Sequence, residues 1–139
     1  MTSTEVFQIC NTLVLPAWII LIIFPAWKWR SMTITIACTL LAMIYAFYVL
    51  TGLPAFDPTL FGSLAGVKQL FTEDEVLLAG WVHYLAFDLL IGNWIIDQSK
   101  KHNIRHLWII PSLFLCFMFG PLGYLLFVFI RTYKTKSLA

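Results

Sequence analysis

Apolar residues in this chain fall into four long runs, separated by short stretches where Lys, Arg, Asp, Glu, Gly and Pro collect. A helix that crosses a bilayer needs about 20 mostly apolar residues, because lipid offers nothing to satisfy backbone N–H and C=O groups. The runs predict spans over about 6–27, 32–53, 73–97 and 107–130. Between the second and third, Leu60, Phe61, Leu64, Val67, Leu70 and Phe71 recur at helical spacing over a stretch too short to cross. That pattern predicts an amphipathic helix lying in the interface over about 58–71. The expected fold is all-α: an integral membrane four-helix bundle forming a single transmembrane domain, with the short interfacial helix between spans two and three.

Local signals sharpen the boundaries. Pro16 sits mid-run in the first span, where its missing N–H bends a helix without ending it. Pro25, Lys28 and Arg30 close that span, and Gly52 and Pro54 close the second. Asp57-Pro58 supplies an N-cap and a first-turn proline. Thr72 and Glu75 have capping-box spacing at the start of span three. Gly120-Pro121 interrupts the fourth run and predicts a bend there, or a close approach of two backbones at Gly120 and Gly123.

Composition agrees with a membrane protein: hydrophobic residues are 60% of the chain and charged residues 12%. Four spans fill most of the 139 residues, so no extramembrane domain is expected. The basic residues flank spans and form no stripe, which argues against nucleic acid as a partner. With the loops after spans one and three on the positive-inside face, Lys28, Arg30, Lys100, Lys101 and Arg105 lie together there. A fourth full span then carries Arg131, Lys134 and Lys136 to the opposite face, against the same rule. Cys10, Cys38 and Cys116 lie in separate apolar runs and read as small packing residues, with no disulfide or zinc spacing. The chain opens without a basic n-region, a cleavage site or a transit-like segment, so its first run is read as a retained span.

The third span carries the candidate chemistry. His83 and Asp88 lie within an otherwise apolar, membrane-length segment, where an ionised Asp costs about 2.5–3.5 kcal/mol on insertion scales. At about 100° per residue the two side chains are about 140° apart, so they do not stack, yet both can border one cavity inside a bundle. Catalysis by an acid and a base is one reading; hydrogen-bonding between helices is the other. A metal site is disfavoured, since His102 and His106 belong to a surface loop. Asp97 reads as a span end paired with Lys101 one turn on. Trp81, Tyr84 and Trp94 lie beside the polar pair, where they either pack or line a slot for a long apolar ligand. Gln8 and Asn11 are one turn apart near the start of span one and read as interhelical or interfacial polar groups.

Several motifs together resemble a known family. Leu15-Pro16-Ala17-Trp18, Phe61-Gly62-Ser63-Leu64-Ala65-Gly66-Val67, the run from Gly80-Trp81-Val82-His83-Tyr84-Leu85-Ala86-Phe87-Asp88-Leu89 to Gly92 and Trp94, Pro111, and Phe119-Gly120-Pro121-Leu122-Gly123 are similar to the abscisic-acid-deficient-four family. The run from His83 to Asp88 is the most specific part. Plant members are plastid membrane proteins required for making neoxanthin from violaxanthin. The absence of a transit region makes this chain resemble a bacterial member in an inner membrane, whose substrate need not be violaxanthin.

The resemblance implies a membrane-embedded, neoxanthin synthase-like isomerase acting on a carotenoid or related isoprenoid. Opening a 5,6-epoxide to an allene and a tertiary alcohol needs an acid at the oxygen and a base at C7, and no cofactor or metal. Asp88 is the expected acid and His83 the expected base, with the roles exchangeable. Asn93 and Tyr84 would orient the substrate, Trp81 and Trp94 would flank the polyene, and Asn11 and Pro121 would complete the binding surface. Expected partners are the isoprenoid and membrane lipid, with a homo-oligomer compatible. The competing readings are a non-catalytic carotenoid- or lipid-binding protein that supports another enzyme, and a proton path through His83 and Asp88.

Overall fold

The structure is a computed structural model that describes residues 1–52 and 57–136; the expected end of span two at Leu53 and its breaker Pro54 lie outside the described residues. The described residues form helices and turns, with no strand. Helix α1 covers Ser3–Ile23, α2 Arg30–Gly52, α3 Leu64–Leu70, α4 Asp74–Lys101, α5 His106–Phe119 and α6 Pro121–Thr135, and a 3-10 turn over Pro58–Gly62 precedes α3. With 21, 23 and 28 residues, α1, α2 and α4 are long and apolar enough to cross a membrane. Pro16 is accommodated inside α1.

The fourth run does not form the single crossing helix that its length suggests. Its two parts, α5 of 14 residues and α6 of 15, each fall short of a hydrocarbon core about 30 Å thick at about 1.5 Å per residue. The chain reverses between them. Gly123 packs so closely that an added methyl group would meet the Ser112 carbonyl and the Cys116 backbone, atoms that a continuous helix would hold more than about 10 Å away. At the far end, the Lys134 ammonium lies 4.5 Å from the centre of the Trp108 ring at the start of α5. The two helices are thus a hairpin that enters and leaves on one side.

The reversal has a local cause. Gly120 has φ 48° and ψ −94°, a conformation that L side chains rarely adopt. Pro121 at the first position of α6 has no N–H to return to α5 and a φ already suited to starting a helix.

Helix α4 is the axis about which the rest is arranged. α1 runs parallel to it: Trp81 Nε1 donates to Asn11 Oδ1 at 3.1 Å, and Lys100 Nζ donates to the Pro25 carbonyl at 2.7 Å. Between these ties the Gly92 backbone admits the Trp18 ring and Leu21. α2 is antiparallel, joined by Cys38 Sγ to the Ala86 carbonyl and by Arg30 to Asn93 and Asp97. The hairpin closes a third side of α4, with Tyr124 and Phe127 each 5.6 Å from Trp94 and the Arg131 guanidinium 5.9 Å from the same ring.

Several boundary expectations need correction. The interfacial stretch is split at Ser63, whose hydroxyl caps α3 by accepting from the Gly66 N–H, and the close approach of Gly66 to the Leu60 backbone fixes the break. Asp57 caps the 3-10 turn as expected, and the Thr59 hydroxyl and amide that it binds hold its carboxyl below the ordinary value. Thr72 and Glu75 form no capping box: the Thr72 hydroxyl donates to the Gln69 carbonyl, and α4 starts one residue later with Glu73 at the N-cap position and no side-chain cap hydrogen bond. The capping box occurs instead at Thr2 and Glu5, where α1 begins.

Asp97 pairs with Arg30 across the helices, because the buried Arg30 reaches both it and the Asn93 side chain. Asp97→Ala leaves that guanidinium short of its carboxylate and is expected to cost about 1–3 kcal/mol. The readout is the thermal midpoint of the purified protein in detergent; an unchanged midpoint would make the pair incidental.

The hairpin also removes the conflict over charge. Of the nine Lys and Arg residues, all but Lys68 now stand on the face where α1 ends, α4 ends and α6 returns. Glu5, Asp57, Glu73, Asp74 and Glu75 stand at the opposite end. Cysteines placed at Lys68 and Lys136 are therefore expected to react with an impermeant maleimide from opposite faces of sealed vesicles. Four full spans would put both on the same face.

Candidate functional site

Asp88 lies midway along α4 and faces the apex of the hairpin. It is 8% exposed, and its backbone carbonyl accepts from the Cys116 thiol at 3.4 Å. Its carboxyl group rests directly on Gly120: a methyl group there would lie 3.1 Å from Cγ and Oδ2. Only glycine permits that contact at this backbone conformation. The same point is the start of α6, where the helix dipole favours a negative neighbour. Asp88 Oδ2 has no hydrogen-bond partner, and a buried polar atom in that state calls for an explanation.

Tyr84, one turn earlier on α4, stands beside the same carboxyl group. Its hydroxyl donates to the Met118 carbonyl at 3.1 Å, one of the acceptors that the end of α5 leaves open. A carboxyl group, a phenol and an exposed helix end thus meet where the hairpin turns.

Other expected site residues are dispersed. His83 is exposed on α4, stacked on Phe87 at 4.5 Å and 5.6 Å from the Tyr45 ring of α2. The structure does not bring His83 to Asp88, because five helical positions turn them about 140° apart and α2 and the hairpin occupy different sides. Asn93 accepts from Arg30 and ties α2 to α4. Trp94 buttresses α6. Pro121 is exposed and serves to start α6. Trp81 and Asn11 hold each other where α1 meets α4, and Trp81 continues an aromatic series from Phe7 at 5.6 Å to Tyr84 at 5.5 Å.

His102 ends α4 while His106 begins α5, so they do not share a helix; His106 Nε2 meets the Ile22 carbonyl at 2.8 Å. No group of three or more His, Cys, Asp or Glu that could hold a metal ion occurs among the described residues.

Sequence reasoning missed Cys116 as a neighbour of Asp88 and took Gly120-Pro121 for a bend rather than a reversal. The available signal was the Gly-Pro pair in a run with basic residues beyond both of its ends, a pattern that fits a returning hairpin better than a crossing.

A family model described as ABA DEFICIENT 4-like matches residues 5–127. The Arabidopsis thaliana protein named Protein ABA DEFICIENT 4, chloroplastic, is 24% identical over 132 residues, covering 87% of this chain and 58% of its own length. The chain therefore spans little more than half of that relative. The relative's name assigns it to the chloroplast, so the expectation of a bacterial inner membrane draws no support from it. No solved structure matches.

Proposed function

Since the chain belongs to the ABA DEFICIENT 4-like family, we propose that it acts within the membrane on a carotenoid or related isoprenoid epoxide, with Asp88 as the proton-transferring group. The observation that carries this reading is the buried Asp88 carboxyl group with one oxygen unpartnered at the hairpin apex. Glue between helices accounts poorly for it, since an interhelical tie would engage that oxygen.

One carboxyl group suffices for the chemistry, which replaces the Asp88–His83 pair as the proposed mechanism. Asp88 gives its proton to the epoxide oxygen as the adjacent C–O bond breaks. The carboxylate then takes the proton from the neighbouring chain carbon, and the C–H electron pair becomes the new C=C bond of the allene. The oxygen remains as a tertiary alcohol, the carboxyl group returns to its starting state, and no electrons enter or leave. Tyr84 orients the oxygen in this reading, and the lipid-like setting excludes water that would otherwise open the epoxide to a diol.

The test is incubation of the purified protein in detergent or nanodiscs with a 5,6-epoxy-carotenoid. The expected product has unchanged mass and an altered polyene absorbance. Binding with full recovery of the starting epoxide would favour the carrier reading, and proton flux in liposomes would favour the path reading.

A further inference from the structure

The hairpin reaches only as far as the Tyr84–Asp88 level, so the first half of α4 is flanked by α1 but not covered by α5 or α6. Leu77 is 50% exposed and Trp81 38% exposed on this stretch. A groove of about 270 Å³ runs here between the first turns of α1 and α4, with Phe7, Leu77 and Trp81 as apolar walls and Ser3, Thr4 and Asp74 as polar groups. On the helical wheel Asp74, Leu77, Trp81, Tyr84 and Asp88 share one face of α4. The aromatic series from Phe7 through Trp81 to Tyr84 leads from the groove along α4 toward the turn that carries Asp88. A larger hollow of about 690 Å³ beside Glu5, Gln8 and Thr12 is lined by no residue of α4 and has no such connection.

We propose that this groove is a second subsite, which holds the far, hydroxyl-bearing end of the isoprenoid whose reacting end is at Asp88. The inference rests on the reading of Asp88 given above. Three observations set the ligand's chemistry. The groove is smaller than the roughly 300–1,000 Å³ of pockets that enclose a whole ligand, so it suits one end of a molecule. Its mouth offers the Asp74 carboxylate as acceptor and the Ser3 and Thr4 hydroxyls, a set that pairs with an alcohol. Asp88 lies fourteen positions after Asp74, about 21 Å along α4, and Leu77, Trp81 and Tyr84 lie on the face between them. A rigid, extended polyene with a polar group at each end meets all three conditions, whereas a phospholipid acyl chain has no hydroxyl for the mouth.

The experiment compares two epoxy-carotenoids, one with a hydroxyl on the ring far from the epoxide and one without, using the full chain in nanodiscs. Binding is read from quenching of tryptophan fluorescence, and turnover as KM and kcat. The hydroxylated ligand is expected to bind about tenfold or more tightly. Asp74→Asn should reduce that preference, and Leu77→Trp, which fills the groove from an exposed position, should abolish it. Both should act on KM more than on kcat. Should Leu77→Trp fold poorly, Leu77→Cys carrying a bulky maleimide supplies the same block after folding. Equal affinity for the two ligands, or an unaltered preference in the blocked protein, would overturn the subsite. A spin-labelled lipid that stays in the groove at saturating carotenoid would overturn it too, in favour of an ordinary lipid site. If Asp88→Asn loses turnover while the groove variants keep the preference, the subsite fails and the reaction stands. If neither carotenoid binds, both fail together.

Discussion

Asp88→Asn is expected to lower conversion of an epoxy-carotenoid by about 10²- to 10⁴-fold, the usual range for removal of a general acid or base. The amide keeps the size and hydrogen-bonding shape of the carboxyl group against Gly120, so the variant should fold and bind ligand as before. The loss should therefore appear in kcat, with KM nearly unchanged. Asp88→Glu retains the acid but pushes it about one methylene into Gly120, and should fail for a steric reason, with reduced thermal stability. His83→Gln is the matched control. It lies on an exposed face beside Phe87 and Tyr45, and its loss should leave turnover within about threefold, since a group that does not meet the reacting atoms adds no transition-state stabilisation. A large loss in His83→Gln with activity retained in Asp88→Asn would reverse the assignment.

Gly120→Ala is the second change with a large expected effect. At φ 48° the added methyl group meets its own backbone, at a cost of about 1–2 kcal/mol. It also enters the space of the Asp88 carboxyl group, and overpacking of that kind costs about 1–3 kcal/mol. The two together should lower the thermal midpoint in detergent and remove turnover even in the molecules that remain folded, because the carboxyl group must move. Combining Gly120→Ala with Asp88→Ala relieves the second cost and leaves the first, so the stability losses should be less than additive. Strict additivity would mean that the contact between Gly120 and Asp88 carries no energy.

The parts of this architecture that were legible in the sequence are those set by local periodicity and solvent preference. Apolar runs near 20 residues gave α1, α2 and α4, and the Asp57-Pro58 pair gave the start of the 3-10 turn. An Asp at the centre of such a run had to face protein, and Asp88 does. The reversal was hidden because a run of membrane length is compatible both with one crossing and with two half-length helices. Hydropathy averages over the one residue, Gly120, that decides between them.

The pairing of His83 with Asp88 was a similar case. Helical angle alone allowed both to border one cavity, and the decision lay with the depth reached by the hairpin and the side taken by α2, which are tertiary facts. Asp97 illustrates the same limit, since Lys101 was its best partner on the helix and the buried Arg30 of α2 was invisible until the helices were packed. The charge pattern was the exception. The basic tail that contradicted four spans was correct information about the fold, and it pointed to a chain that returns to the face it left.

In the proposed reaction the Asp88 carboxyl group meets the ligand inside the membrane. The most direct measurement is the infrared difference spectrum of the protein with and without a bound epoxy-carotenoid, recorded for the wild type and for Asp88→Asn. The expected result is a carboxyl C=O band that shifts when the ligand binds and is missing from the variant. Identical difference spectra for the two proteins, with the ligand bound in both, would contradict it.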